Sequence, residues 1–111
     1  MTTKKQSIPD DVRAEVERVV ADFNHKTFGN AGVAYSAHFR GKYLYLKRSV
    51  LHGKPHPICR LTYTGKMDGW KFTIYRHTKN RYDENAIFPG AGELDGTVEG
   101  AMRAGLKAYP A

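Results

Sequence analysis

The chain has 111 residues and a formal net charge of +7, from 18 lysines and arginines against 11 aspartates and glutamates. This length fits one domain, and no apolar run approaches the roughly 18 residues that a transmembrane helix needs. The polar residues 1–7 lack the apolar stretch of a signal peptide, and the single Cys59 excludes an internal disulfide. We therefore expect one cytoplasmic domain over residues 1–111, of which residues 1–6 are a flexible N-terminal tail.

The first predicted element is a helix that begins after Ser7 and ends near Lys26. Ser7, with Asp10 three residues later, resembles a capping box. The glycine-containing loop at residues 29–32 follows the helix. Apolar residues recur along one helical face, at Val12, Val16, Val19, Val20 and Phe23.

Four strands are predicted next, at residues 33–39, 42–50, 58–64 and 70–77. These segments are rich in the aromatic and β-branched residues that strands favour, and short turns containing glycine or proline separate them. Such short turns favour an antiparallel meander. Residues 78–92 are predicted as loop, and a last helix is expected to begin near Asp95 or Thr97 and to run to Tyr109.

The predicted fold class is α+β, with an N-terminal helix, a four-stranded antiparallel meander sheet and a C-terminal helix. Both helices are expected on one face, because the more apolar side of the sheet must be buried. Small residues at Gly100, Ala104 and Ala108, with Ala101 and Gly105 beside this row, are expected to let the last helix approach the sheet closely. The predicted core contains Val16, Val19, Val20, Phe23, Leu44, Leu46, Leu61, Phe72, Ile74 and Met102.

The positive charge is concentrated in the middle of the chain. Residues 31–82 hold eleven lysines and arginines and one acidic residue, Asp68, whereas residues 1–30 are balanced and residues 83–111 are net negative. Such a concentration favours an anionic partner.

Strand alternation leaves a basic, tyrosine-bearing face opposite the helices. Aromatic rings can stack on nucleobases while cations pair with phosphates. The outward tyrosine rings are expected to be exposed, so that Tyr45→Ala should reduce binding and cost little fold stability. The candidate nucleic-acid-binding residues are Arg40, Tyr43, Tyr45, Lys47, Arg60, Lys71, Tyr75 and His77.

The favoured hypothesis is a non-enzymatic domain that binds single-stranded DNA or RNA weakly and with little sequence preference. Two alternatives stay open for the same face: a protein–protein or homodimer interface, since Tyr and Arg are common there, and an ordinary solvated sheet surface. A third is a metal-free ribonuclease that uses residues suited to acid–base chemistry at a phosphate, namely His38, Arg60, Tyr75 and His77.

No metal, small-molecule cofactor or membrane partner is predicted. His52, His56 and Cys59 have a spacing that suggests a zinc site, but they supply only three ligands where structural zinc takes four, and Cys59 is expected in the core. The glycine-containing segment at residues 89–92 lacks the Lys-Ser/Thr ending of a phosphate-binding loop.

Overall fold

The computed structural model describes residues 7–111, so the predicted tail at residues 1–6 lies outside the described residues. The elements are α1 (Asp10–Phe28), β1 (Val33–Arg40), β2 (Tyr43–Val50), β3 (His56–Thr62), β4 (Lys71–Arg76), β5 (Arg81–Asp83), a short 3₁₀ helix (Ala91–Glu93) and α2 (Val98–Ala108). The strands form one antiparallel sheet in the order β1-β2-β3-β4-β5. The predicted α+β meander with a helix at each end is confirmed. Neither helix within residues 7–111 is long and apolar enough to cross a membrane.

The sheet has five strands where four were predicted. β5 lies inside the segment that was predicted as loop, and it pairs with β4 through the register Tyr75↔Tyr82. The turn between them places Asn80 at a φ of 52°, a left-handed value that Asn tolerates better than most residues. A strand of three residues is too short for alternation to reveal it, so the prediction was wrong here.

The predicted capping box at the start of α1 is also wrong. Pro9 occupies the N-cap position and supplies no side-chain cap, while the Asp11 carboxylate accepts the Val12 N–H at 3.0 Å. Asp10 and Asp11 lie in that turn, where their charge stabilises the positive end of the helix dipole. At the other end Gly29, with a φ of 55°, donates its N–H to carbonyls of the last turn and ends the helix.

The core lies between the helices and one face of the sheet. Eight of the ten predicted core residues are buried, whereas Val19 and Phe72 are only half-buried at its margin. Phe72 stacks on Phe88 at 5.4 Å, and Val19 lines a groove between the helices. Cys59 is buried as predicted, and the core also buries residues absent from the prediction, chiefly Ile8, Tyr35, Ile58, Trp70, Val98, Ala101 and Ala104.

The edge of the sheet at β1 is partly closed by a side chain of α1. Asn24 donates its amide N–H to the Tyr35 carbonyl at 2.9 Å and accepts the Tyr35 N–H at 2.8 Å. An open strand edge invites pairing with other chains. This two-point contact blocks one position of the edge and fixes α1 against it.

The turn after β2 holds an unusual backbone conformation. Leu51 and His52 both have left-handed φ values, 52° and 61°, and the Gly53 N–H bonds the Val50 carbonyl across the turn at 2.9 Å. Two consecutive left-handed residues are typical of a type I′ turn, which normally takes Asn-Gly. A left-handed conformation costs an ordinary residue roughly 1–2 kcal/mol.

A close approach of α2 to the sheet occurs at Gly105, one of the small residues beside the predicted row. A Cβ on Gly105 would lie 2.6 Å from both Ile58 Cγ2 and Tyr35 Oη. Gly100 adjoins the loop before α2, where a Cβ would meet Asp95.

We expect Gly105→Ala to lower the free energy of unfolding by about 1–3 kcal/mol, the usual cost of overpacking a core. The added methyl group would have to displace Ile58 or Tyr35, and this outweighs the roughly 1 kcal/mol that Ala gains over Gly in helix propensity. Chemical denaturation measures the change. Gly92→Ala is the matched control, because no atom lies within 4 Å of its added Cβ. A Gly105→Ala protein as stable as the parent would contradict this packing.

Candidate nucleic-acid interface

The face of the sheet opposite the helices, called the outer face below, carries seven of the eight predicted site residues. The register pairs Arg40 with Tyr43 between β1 and β2, and Tyr45 with Arg60 between β2 and β3. Strand alternation puts Lys47, Lys71 and Tyr75 on the same face. The sheet therefore brings most of the candidate residues together, as the alternation predicted.

A chain of tyrosine rings crosses the outer face. Tyr43 and Tyr45 have ring centroids 6.2 Å apart, Tyr45 and Tyr82 are 5.6 Å apart, and Tyr82 and Tyr75 are 4.9 Å apart. Tyr45 and Tyr82 lie on β2 and β5, so their rings reach toward each other over β3 and β4. Thr73 on β4 is 5% exposed although it belongs to the outer face, which indicates that the rings cover it.

Tyr82 is the site residue that sequence reasoning missed, because it lies on the unpredicted β5. Burial raises the pKa of its hydroxyl to about 12, and the nearby Arg60 guanidinium opposes this increase. The hydroxyl therefore stays protonated near neutral pH and remains a hydrogen-bond donor. The only available signal was Asn80, a turn residue directly before the Arg81-Tyr82-Asp83 segment.

Arg60 lies between two of these rings. Its guanidinium carbon is 4.8 Å from the Tyr43 ring centroid and 5.3 Å from that of Tyr82, within the range of cation–π attraction. The Nε atom of Arg60 is buried and has no hydrogen-bond partner within residues 7–111. The Arg60 guanidinium is therefore positioned by its contacts with the two rings.

A concave cavity of about 430 Å³ opens beside the tyrosines. Within the described chain no aspartate or glutamate lines it, and Arg40 and Lys47 supply positive charge. This volume is within the range of small-ligand sites. The lining residues are His38, Phe39, Arg40, Tyr45, Lys47, Pro57 and Tyr82.

His38 adds a titratable group to this cavity, which will be called the outer cavity. Its Nε2 lies 2.8 Å from the Ser36 hydroxyl oxygen. Burial lowers the pKa of His38 below its usual value, and the positive charge of Lys47 lowers it further, while Glu17 opposes both. The imidazole is therefore largely neutral at pH 7.

The structure separates the two histidines of the ribonuclease hypothesis, whereas Arg60 and Tyr75 both contact the Tyr82 ring. His38 is on β1, whereas His77 follows β4, three strand spacings or about 14 Å away across the sheet. His77 packs instead against Tyr75 and Tyr109, at 4.9 and 5.0 Å. The structure therefore gives no support to the two histidines acting together as acid and base on one phosphate. His77 is also the one predicted site residue that lies outside the outer face, next to the C-terminal end of α2.

Not every cation of the basic middle segment serves the outer face. Arg48 lies on the same face of β2 as Leu44 and Leu46 and points into the core. It is 7% exposed, and its side chain donates to the Tyr109 carbonyl. Arg76 pairs with Asp83 at 3.6 Å. The charge available to an outside partner is therefore smaller than the sequence count implies.

The thiol and the acidic residues lie away from this site. Cys59 is fully buried, and burial raises the pKa of its thiol, which makes it a poor nucleophile. Glu93, Asp95 and Glu99 surround Arg103 at 3.2, 3.4 and 2.9 Å and link the segment before α2 to that helix. No group of three His, Cys, Asp or Glu residues in the described chain is placed to hold a metal ion.

Comparison with known protein families, with curated proteins and with solved structures finds no significant match.

The prediction that the outward tyrosines are exposed is wrong, since all four rings are half-buried against one another. We expect Tyr82→Ala to lower the free energy of unfolding, because each aromatic pair contributes about 0.5–1.5 kcal/mol beyond area burial. Tyr82→Phe is the control. It keeps the ring, and the hydroxyl has no hydrogen bond to any other described residue, so urea denaturation should give a stability near that of the parent. Equal stability of Tyr82→Ala and Tyr82→Phe would contradict the ring packing.

Proposed function

We propose that the outer face binds single-stranded nucleic acid, with bases against the tyrosine rings and phosphates at Arg40, Lys47 and Arg60. The observation that supports this most directly is the Arg60 guanidinium between Tyr43 and Tyr82, beside a cavity without carboxylates. A cation between aromatic surfaces offers stacking and charge to the same ligand. Sites for single strands combine these two features.

A single strand suits this face better than a duplex. The rings of Tyr45 and Tyr82 project across the sheet, and a base must be unstacked from its neighbours to contact their flat sides. The cations at the cavity rim lie on neighbouring strands, at Arg40 and Lys47, so a backbone that follows β2 can contact both. None of these contacts reads a base edge, and we expect little sequence preference.

The second candidate partner for this face is another copy of the chain, and charge argues against it. A homodimer through the outer face would bring Arg40, Lys47 and Lys71 of both copies together. Like charges in an interface oppose association. Sedimentation at high protein concentration tests this: a monomer agrees with the nucleic-acid proposal, and a salt-independent dimer that blocks oligonucleotide binding would support the homodimer.

The proposal predicts a defined salt dependence. If about four phosphates are neutralised, log K should fall with log salt at a slope near −3 for a single strand. Lys47→Ala and Arg40→Ala should each weaken binding and reduce that slope by about 0.7, because each removes one phosphate contact. Fluorescence anisotropy of a labelled oligonucleotide at several salt concentrations measures both quantities.

Lys26→Ala is the matched charge control, because Lys26 lines the groove between the helices and pairs with Asp22. It should leave affinity and slope close to the parent values. Tyr45→Leu keeps apolar bulk but removes the flat ring, and should cost about 1–3 kcal/mol of affinity. Absence of binding at low salt, or binding that Lys47→Ala and Tyr45→Leu leave intact, would refute the proposal.

Binding should also strengthen as pH falls. Burial keeps the pKa of His38 below its usual value in the free protein, and a phosphate in the outer cavity stabilises its protonated form. Affinity should therefore rise as pH falls below neutrality, and His38→Gln should flatten this rise. Protonation of His38 destabilises the fold, because the pKa of His38 is lower in the folded protein than in the unfolded chain. The stability that this difference contributes is present above the unfolded-state pKa and is lost as pH falls through the folded-state pKa. An identical pH profile for His38→Gln and the parent would remove His38 from the site.

A further inference from the structure

The turn at residues 50–53, called the tip turn below, displays an apolar side chain at a conformational cost. Leu51 is 74% exposed, and both it and His52 hold left-handed φ values. The Leu51 N–H bonds the Gly32 carbonyl at 2.6 Å, and a Cβ on Gly32 would lie 2.9 Å from Leu51 Cδ2. The turn is thus anchored in one arrangement against the loop before β1.

Asn-Gly would relieve this strain, yet the chain has Leu-His at the two left-handed positions. Leu51 gains nothing from burial that would offset the cost. Strained residues are common where a side chain is held ready for a ligand. The strain therefore points to a role for the exposed Leu51 and His52 side chains.

The tip turn lies at a basic end of the sheet. Because neighbouring strands are antiparallel, the loop between β2 and β3 and the loop between β4 and β5 emerge at the same end. Their basic side chains are exposed and form no ion pair with another described residue. They are His52, Lys54, His56, His77, Lys79 and Arg81.

This basic end continues the outer face along β2. Tyr43, Tyr45 and Lys47 occupy successive outward positions of β2, and Leu51 follows four residues after Lys47. At about 3.3 Å per residue, Tyr43 and Leu51 are about 26 Å apart along the strand. An oligonucleotide that contacts both residues must span this distance, and sites for single strands cover about 4–16 nucleotides.

We propose that the tip turn is the far end of the nucleic-acid path, where Leu51 packs against a base and Lys54 and Lys79 contact the flanking phosphates. This inference rests on the proposed function of the outer face. Leu is among the apolar side chains that proteins place against bases. A bilayer surface is the less suitable partner, because insertion strength scales with buried apolar area, and only Val50 and Leu51 are exposed here.

The test compares oligothymidylates of about four and about twelve nucleotides, which bracket the length of the path. The parent protein should bind the longer one at least about tenfold more tightly at low salt. The double variant Leu51→Asn/His52→Gly should lose most of that preference while binding the shorter one as the parent does. Its Tm should rise by about 4 °C or more, since the replacement turn relieves the strain.

Ile87→Asn is the matched control, because it removes a 99% exposed apolar side chain from the loop after β5. It should keep the length preference. Lys54→Ala should weaken binding of the longer oligonucleotide only, and Lys79→Ala should do the same.

Four outcomes decide the inference. The predicted loss of length preference with a higher Tm supports it. A double variant that keeps the parent's preference overturns it, and the proposed function stands if Lys47→Ala still weakens the shorter oligonucleotide. An unchanged or lower Tm overturns the strain argument, and with it the inference. The inference is also overturned if replacing Leu51 weakens binding to phosphatidylserine vesicles and leaves oligonucleotide binding unchanged. That result would assign the tip turn to a lipid surface.

Discussion

Tyr35 attaches both helices to the sheet. Its main chain is held by the Asn24 side chain of α1, and its hydroxyl donates to the Met102 carbonyl of α2 at 2.9 Å. Gly105 leaves the space that this hydroxyl occupies, since a Cβ there would lie 2.6 Å from it. An unpaired buried hydroxyl is costly, so the contact with α2 both satisfies the tyrosine and positions the helix.

Arg48 completes this attachment from β2. Its guanidinium lies 5.5 Å from the centre of the Tyr35 ring, and it donates to the Tyr109 carbonyl at the C-terminal end of α2. A buried cation needs compensation, and the negative end of a helix dipole supplies part of it. Arg48, one cation of the basic middle segment, therefore stabilises the fold. Through Tyr35 and Arg48 the helices are fixed over one side of the sheet.

The two sides of the sheet hold their arginine and tyrosine side chains through different contacts. On the inner side the Tyr35 hydroxyl and the Arg48 guanidinium both bond to α2 carbonyls. On the outer side Arg60 is held by two rings, and its buried Nε finds no acceptor in the described chain. The outer arginine is therefore held by ring contacts, whereas the inner arginine is held by a hydrogen bond to the end of α2.

The part of the site that could be predicted from the sequence is the part that depends on contacts between residues close together in the chain. The outward placement of Tyr43, Tyr45 and Arg60 followed from strand alternation, which is a local property of the backbone. The contact of Tyr45 with Tyr82 joins residues 37 positions apart and depends on a three-residue strand that no periodicity reveals. The burial of the tyrosine rings was missed for the same reason, because it comes from rings on separate strands covering one another.

The sequence by itself determined the α+β class, the order of the helices and the four longer strands, and which face of each strand is apolar. These properties follow from spacing and turn chemistry, which act between residues close in the chain. Tertiary structure alone decided that Tyr45 and Tyr82 meet across the sheet, that Arg48 bonds the Tyr109 carbonyl, and that Gly105 packs against Ile58 and Tyr35. Each of these depends on how strands and helices pack across the molecule, and local patterns carry no record of that packing.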